Sequence, residues 1–337
     1  MEKTSRINKQ SVTRFMQNNA IIIIMLLIAL VVGILEPNFV SRGNFKNLTV
    51  NTATRFIIAL GVSGCLITKG TDLSAGRLVG LGACVAATLL QKVDYSGRMF
   101  PNLPAFPVIL VILIAMAVCA IFGFANGTII SFLKVPPFIA TLGMQTLVYG
   151  ICLVYTGAQP IGGLREDYTV ISSGSFFKGT LFEIPYLLII AAVCGGLMWV
   201  LYNKTRHGKY MYAIGGNESA AEVAGVNTNK AKIKIYTLAA CFYALGGILL
   251  AAKAGGTSVN MGQGYELEAI AACTIGGVST NGGVGKVSGI LIGVLVFELL
   301  KISMQFLGVK TDYTYIVQGL VIIIAVALDL RKYLAKK

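Results

Sequence analysis

From Met99 to Leu133 the chain runs for 35 residues without a charged side chain. A hydrocarbon core of ~30 Å is crossed by ~20 helical residues rising about 1.5 Å each, so the stretch reads as a membrane span with its connecting ends. Phe15–Leu35, Ile184–Asn203 and Ile235–Ala252 are also free of charge. Charge-free windows and their breakers place ten spans near 15–35, 52–69, 76–92, 106–133, 136–157, 184–202, 235–252, 267–280, 286–307 and 313–330. Only 12% of the residues are charged and 55% are hydrophobic, against ~25% charged in soluble domains. The chain is expected to be an all-α, polytopic membrane protein.

The net charge of +14 raises nucleic acid as a partner, and the position of the charge excludes it. Lys and Arg sit at the ends and in short connections rather than on one basic face with interleaved aromatics. With ten spans and both termini inside, the tail, 69–77, 134, 203–234, 286 and the carboxyl end hold 18 of the 28 cations. That is the asymmetry of positive-inside sorting. Phe15–Leu35 is too long for a signal-peptide core and lacks a small-residue cleavage pattern, so it reads as a retained span behind a cytoplasmic tail, 1–14. The remainder, 15–337, reads as one transmembrane domain.

Covalent chemistry has no candidates here. The seven cysteines fall in apolar runs without a CxxC pair, and the single histidine, His207, lies in a basic loop, so no metal or haem set can be assembled. No nucleophile and base converge. The glycine-rich run Gly276–Gly285 followed by Lys286 resembles a phosphate-binding loop, but Thr280 and Val287 stand where that motif needs glycine and a hydroxyl. No cofactor is expected in this chain.

Two segments are too short to span comfortably. Between the charge-free cores Phe56–Thr68 and Leu78–Gln91 lies Lys69-Gly-Thr-Asp-Leu-Ser-Ala-Gly-Arg77. Such short cores draw the loop toward the membrane, where irregular backbone is tolerated only inside protein or along an aqueous cavity. Thr71, Asp72 and Ser74 are helix N-cap formers and candidates for a solute path, with a simple cap on Asp72 paired to Arg77 or Lys69 as the plainer reading. Asn126, in a charge-free helix, and Thr141, on one face with Gln145 after Pro136-Pro137, join the candidates, with interhelix bonding as the plainer use. The second weak segment follows Glu266 and Glu268 and breaks at Gly276–Gly285, which adds Asn281. Glu298 and Lys301, three apart, read as a self-neutralising pair on one helix face. Residues 158–183 read as an outer loop.

Small-residue spacing recurs at Gly76/Gly80, Gly123/Gly127 and Gly285/Gly289/Gly293, which suits close helix approach in lipid. Paired short spans in corresponding positions are a mark of transporters built from repeated halves, here an inverted repeat of spans 2–5 and 7–10.

The polar stretch Asn203–Lys234 divides the chain, with six Lys and Arg, two Glu and the histidine. Asn217 or Ser219 caps a short helix, Ser219-Ala-Ala-Glu222 has capping-box spacing, and Gly225 supplies the stop. With Ala220, Ala221, Val223 and Ala224 it buries too little to sit alone in a membrane interface, and its small face suits a close-fitting protein partner. The plainer reading is a basic cytoplasmic loop that sets topology.

Several stretches together resemble the permease subunits of the ribose/xylose/galactose class of sugar ABC importers: Gly70-Thr-Asp-Leu-Ser-Ala-Gly76, Asn126-Gly127, Pro136-Pro-Phe-Ile-Ala-Thr-Leu-Gly143, Ala213–Asn227, Gly264–Ala272 and Gly276-Gly-Val-Ser279. Arg55–Gly61, the Thr71 and Arg77 that flank Asp-Leu-Ser-Ala-Gly, and Ala325–Asp329 look most like the galactose/methyl-galactoside branch. The resemblance implies a bacterial inner-membrane permease with both termini cytoplasmic, working as a homodimer in the lipid bilayer. An ABC ATPase subunit carrying ATP-Mg and an extracytoplasmic sugar-binding protein would be its partners, so the chain itself would be no enzyme. Asn217, Glu218, Ala220, Ala221, Glu222 and Gly225 would then meet the ATPase. An ion-coupled secondary sugar transporter, or a permease for another pentose or nucleoside, is the alternative.

Overall fold

The computed structural model describes residues 20–179 and 183–334; the tail 1–14 and the first residues of the expected first span lie outside them. The described residues form thirteen α-helices. In chain order these are α1 (Ala20–Leu35), α2 (Arg42–Ile67), α3 (Ala75–Leu89), α4 (Val108–Phe132) and α5 (Pro137–Thr156). The short α6 (Glu166–Ser173) precedes α7 (Tyr186–Lys204), α8 (Arg206–Gly216), α9 (Glu218–Val223) and α10 (Thr228–Ala254). The chain closes with α11 (Tyr265–Ile275), α12 (Val287–Phe306) and α13 (Thr311–Leu334). One small antiparallel pair, β1 (Ser175–Phe176) with β2 (Ile184–Pro185), leads into α7.

Among the described residues seven helices are long and apolar enough to cross a membrane: α2, α4, α5, α7, α10, α12 and α13. The expected span 76–92 is instead the 15-residue α3, about 22 Å long, and 267–280 is the 11-residue α11, about 16 Å long. Glycine is the physical reason for the second. Gly264 before α11 and Gly277 after it take φ of 82° and 83°, a left-handed conformation that ends a helix and that glycine adopts at least cost. The expected span 52–69 is longer than charge-free windows indicated. Ser41 Oγ accepts from the Asn44 N–H at 3.3 Å and starts α2 at Arg42, and the helix carries Arg55 into the bundle.

Helix α10 is the centre of the fold, packed on α4, α3 and α2 together. Its approach to α4 is close because Gly123 and Gly127 present bare backbone to it. A Cβ at Gly127 would lie 2.6 Å from the Ile233 Cα, and one at Gly123 would strike Ala240. The glycine spacing read from the sequence is therefore a helix-packing device. The outward face of α4 bears exposed Ile109, Leu113, Ile121 and Phe124, as a lipid-facing helix does.

The stretch 158–183 is more than the expected loop. Helix α6 docks on α10, with the Tyr168 hydroxyl donating to the Ile248 carbonyl at 2.6 Å and Ser172 Oγ donating to the Leu249 carbonyl at 2.8 Å. Ile161 bridges Thr257 beside it.

Candidate functional site

The Gly70–Ser74 loop between α2 and α3 is drawn into the protein. Asp72 is 1% exposed, and Ser74, Asn126 and Thr141 are fully buried. Asp72 Oδ1 accepts from the Ser74 N–H at 3.0 Å and from its hydroxyl at 2.6 Å. Asn126 Nδ2, on α4, donates to Ser74 Oγ at 3.0 Å. Thr141 Oγ1, in the first turn of α5, accepts from the Leu73 N–H at 3.1 Å and lies 3.1 Å from the Thr71 carbonyl. Three segments, the loop, α4 and α5, thus meet through hydrogen bonds that a membrane interior requires.

Asp72 does not form the charge pair set out as the plainer reading. Arg77 donates to the Val259 carbonyl at 3.3 Å and stacks on Tyr149, while Lys69 donates to the Gly216 carbonyl at 3.4 Å. The Asn126 Oδ1 atom is buried with no hydrogen-bond partner.

Asn281 stands apart from this cluster, in the glycine-rich turn. Its N–H donates to Ser279 Oγ at 3.2 Å. The turn is held by Asp329 of α13, whose Oδ2 accepts from the Thr280 N–H at 3.0 Å, the Thr280 hydroxyl at 2.9 Å and Ser279 Oγ at 3.2 Å. The turn also donates from the Gly283 N–H to the Ile67 carbonyl, at 2.8 Å, where α2 ends. Asp329 had been singled out only through the Ala325–Asp329 likeness, and its role as anchor is visible only in three dimensions.

Midway along α2 lies a set of four charges among apolar helices. Arg55 pairs with both Glu268 of α11 and Glu298 of α12, and Lys301 pairs with Glu268 at 2.8 Å and with Glu298 at 3.8 Å. The guanidinium also lies over the Tyr265 ring, 4.6 Å from its centroid. Glu298 and Lys301 are therefore not a closed pair on one helix. Each has its nearer partner elsewhere, Glu298 in Arg55 and Lys301 in Glu268, and the sequence marks Arg55 only through the Arg55–Gly61 likeness.

The dividing loop folds into α8, α9 and the start of α10. Asn217 is the cap of α9, its Oδ1 accepting from the Ala220 N–H at 3.0 Å, and Asn227 caps α10 through the Lys230 N–H at 2.9 Å. Ser219 caps nothing here, and Glu222 turns away from the capping-box position to accept from the Thr228 hydroxyl at 2.6 Å. Glu218 pairs with Lys232 at 2.6 Å. Ala221 is buried with Ile214, Ala231 and Val226, while Ala220 is exposed and Val223 is 90% exposed. Gly225 takes φ 84°, so the chain reverses there into α10. The outcome is a short rigid helix, open on one side and tied by two side chains to the central helix on the other.

Residues 44–326 match the family model described as branched-chain amino acid transport system / permease component. The chain belongs to this permease family. Over 336 residues, 99% of the chain and 100% of the relative, the permease is 44% identical to the galactose/methyl galactoside import permease protein MglC of Escherichia coli. It is 43% identical over the same span to the MglC protein of Haemophilus influenzae. It is 37% identical over 309 residues, 91% of each chain, to the ribose import permease protein RbsC of Bacillus subtilis. No solved structure matches it. The family description names an amino acid class whereas these relatives import sugars, so membership establishes a membrane permease and not its solute.

Proposed function

We propose that this permease forms the membrane path of an ATP-driven importer for galactose and methyl galactoside. The observation that carries the solute is the 44% identity across the full length of a galactose/methyl galactoside permease. A separate ABC ATPase with its ATP-Mg and an extracytoplasmic binding protein supply the energy and the solute, and a second copy of the chain completes the path in the bacterial inner membrane, with both termini cytoplasmic.

The ATPase engages the exposed side of α9, where Ser219, Ala220, Val223 and Ala224 leave a shallow face with no bulky side chain other than one valine. Force reaches the bundle through Glu222–Thr228 and Glu218–Lys232, both of which end on α10. Because α10 packs on α2, α3 and α4, its displacement bears directly on the loop that holds Thr71, Asp72 and Ser74 and on Asn126. Those residues and Thr141 form the polar part of the path on one side, and the Asn281 turn, tied to the end of α2, moves with it.

Reconstitution with the ATPase and binding protein, comparing galactose with ribose, tests the reading. ATP-dependent uptake of galactose in preference to ribose supports it. Uptake by the purified chain alone under a proton or sodium gradient overturns it.

A further inference from the structure

Helices α3 and α11 each fall short of a ~30 Å hydrocarbon core, and they start at a common level. Gly76, in the first turn of α3, is pressed on the first turn of α11, where a Cβ would strike the Glu266 carboxylate and the Gly262 carbonyl. From that crossing the two helices run to opposite ends of α10. Beyond α3 the Leu90 carbonyl accepts from the Arg165 N–H at 3.0 Å, just before α6, which docks at Ile248 and Leu249. Beyond α11 the Gly283 N–H reaches the Ile67 carbonyl against Gly215 of α8, whose Ile214 packs with Ala231 near the start of α10. Both amino-terminal ends therefore lie about 15–20 Å from the surfaces, at 1.5 Å per residue, deep in the membrane.

The face at this level is polar. Arg77 and Tyr149 are half-buried, and Asn260 and Gln263, which follow the Val259 carbonyl that Arg77 reaches, are exposed. Hydrocarbon satisfies none of these groups, so the face borders an aqueous cavity rather than lipid.

Arg77 is the group best prepared there. Its guanidinium lies 4.1 Å from the Tyr149 ring centroid and gives one N–H to the Val259 carbonyl at 3.3 Å. Among the described residues it has no other hydrogen bond and no ion pair, so the rest of its planar fork is held in place without a protein acceptor. Glu266, 7% exposed, also has no ion pair among the described residues, and Arg77 is the cation whose field reaches it. The two charges balance without a salt bridge. An anionic solute would meet Glu266 and a cationic one Arg77, which leaves a neutral solute rich in hydroxyl acceptors as the one that fits.

We propose that Arg77 is the mid-membrane contact of the solute, its free N–H donors bonding to adjacent hydroxyls of a neutral sugar in passage. Tyr149 and the Val259 carbonyl fix the guanidinium, and Glu266 balances its charge. The inference rests on the transport function proposed above and adds a residue outside the cluster around Asp72.

The test measures uptake by the full permease reconstituted with the ATPase and the binding protein, for galactose and for its monodeoxy forms, at concentrations that saturate the binding protein. Parent is compared with Arg77→Gln. The same binding protein delivers each solute to both permeases, so its own preferences cancel in the parent-to-variant ratio of rates. Loss of a charged hydrogen bond should make that ratio about tenfold or more on galactose and bring it toward one on the deoxy sugar that lacks the bonded hydroxyl. A ratio equal for galactose and every deoxy form overturns the proposal and leaves Arg77 a brace between α3, α5 and the Val259 segment. Parent-level galactose uptake in the variant overturns it as well. Should Arg77→Gln fail to assemble, Arg77→Lys, which keeps the charge and loses the fork, enters the same comparison with the same outcomes. A parent that imports ribose and not galactose sinks the solute named above, and deoxyriboses in place of deoxygalactoses then decide whether Arg77 touches a hydroxyl.

Discussion

Arg55 and Glu298 are joined as an ion pair inside the helical bundle, where Glu298 is 2% exposed and Arg55 also holds Glu268. With Lys301 the set contains two cations and two anions, so the four are neutral together and unbalanced if any one is lost. Helices α2, α11 and α12 meet there.

Glu298→Leu leaves Arg55 and Lys301 with a single carboxylate, and breaking such a buried pair typically costs about 3–5 kcal/mol. Arg55→Leu/Glu298→Leu removes one charge of each sign and leaves the Glu268–Lys301 pair at 2.8 Å intact. Thermal unfolding in detergent should therefore place the double variant closer to the parent than either single variant. Additive losses would contradict the four-charge description.

Glu222→Ala removes the acceptor of the Thr228 hydroxyl, a charged hydrogen bond worth about 1.5–3 kcal/mol, and loosens α9 from α10 while Glu218–Lys232 stays in place. Uptake should fall about tenfold or more while ATP hydrolysis by the reconstituted complex continues and capture of sugar by the binding protein is unaltered. Gly225→Ala should act in the same direction, since φ 84° strains any side chain by about 1–2 kcal/mol. Parent-level uptake in both variants would exclude α9 as the lever.

Asn126→Leu deletes one hydrogen bond to Ser74 and also the unpartnered Oδ1 acceptor. The two effects oppose each other, so unfolding temperature should hardly move. Uptake should nevertheless fall if that acceptor serves the solute, and an unchanged transport rate would confine Asn126 to helix packing.

Asp329→Ala releases three hydrogen bonds that hold the Ser279–Thr280 turn. Hydrogen exchange across 276–285 should rise, with the loss of even one charged bond amounting to about 1.5–3 kcal/mol of local stability. Exchange as slow as in the parent would show that the Gly283–Ile67 contact alone suffices.

Sidedness can be read with Val223→Cys, because position 223 is 90% exposed and the seven native cysteines are buried or half-buried. A membrane-impermeant maleimide should label it in inside-out vesicles and not in right-side-out cells. The reverse pattern would invert the topology and remove the ATPase from α9.

Much of this molecule was written along the chain. Unbroken apolar runs with charges gathered between them dictate a helical membrane protein, since a backbone in lipid must satisfy its own hydrogen bonds. Asn217, one of two residues able to cap by local chemistry, announced the start of α9, and the glycine pairs announced close packing. What periodicity and spacing do not encode is which distant groups meet. Arg55 is a charge inside the expected span 52–69 with no partner legible nearby, and α11 and α12 bring Glu268 and Glu298 to it. Glu222 had the spacing of a local cap, yet it bonds to Thr228 because α9 folds back on the start of α10. Thr141 met the Leu73 amide, and Asp329 the glycine-rich turn, only when the bundle closed. Local bonds are set by residues a few places apart, whereas these are set by how whole helices pack, and that is decided by the tertiary structure alone.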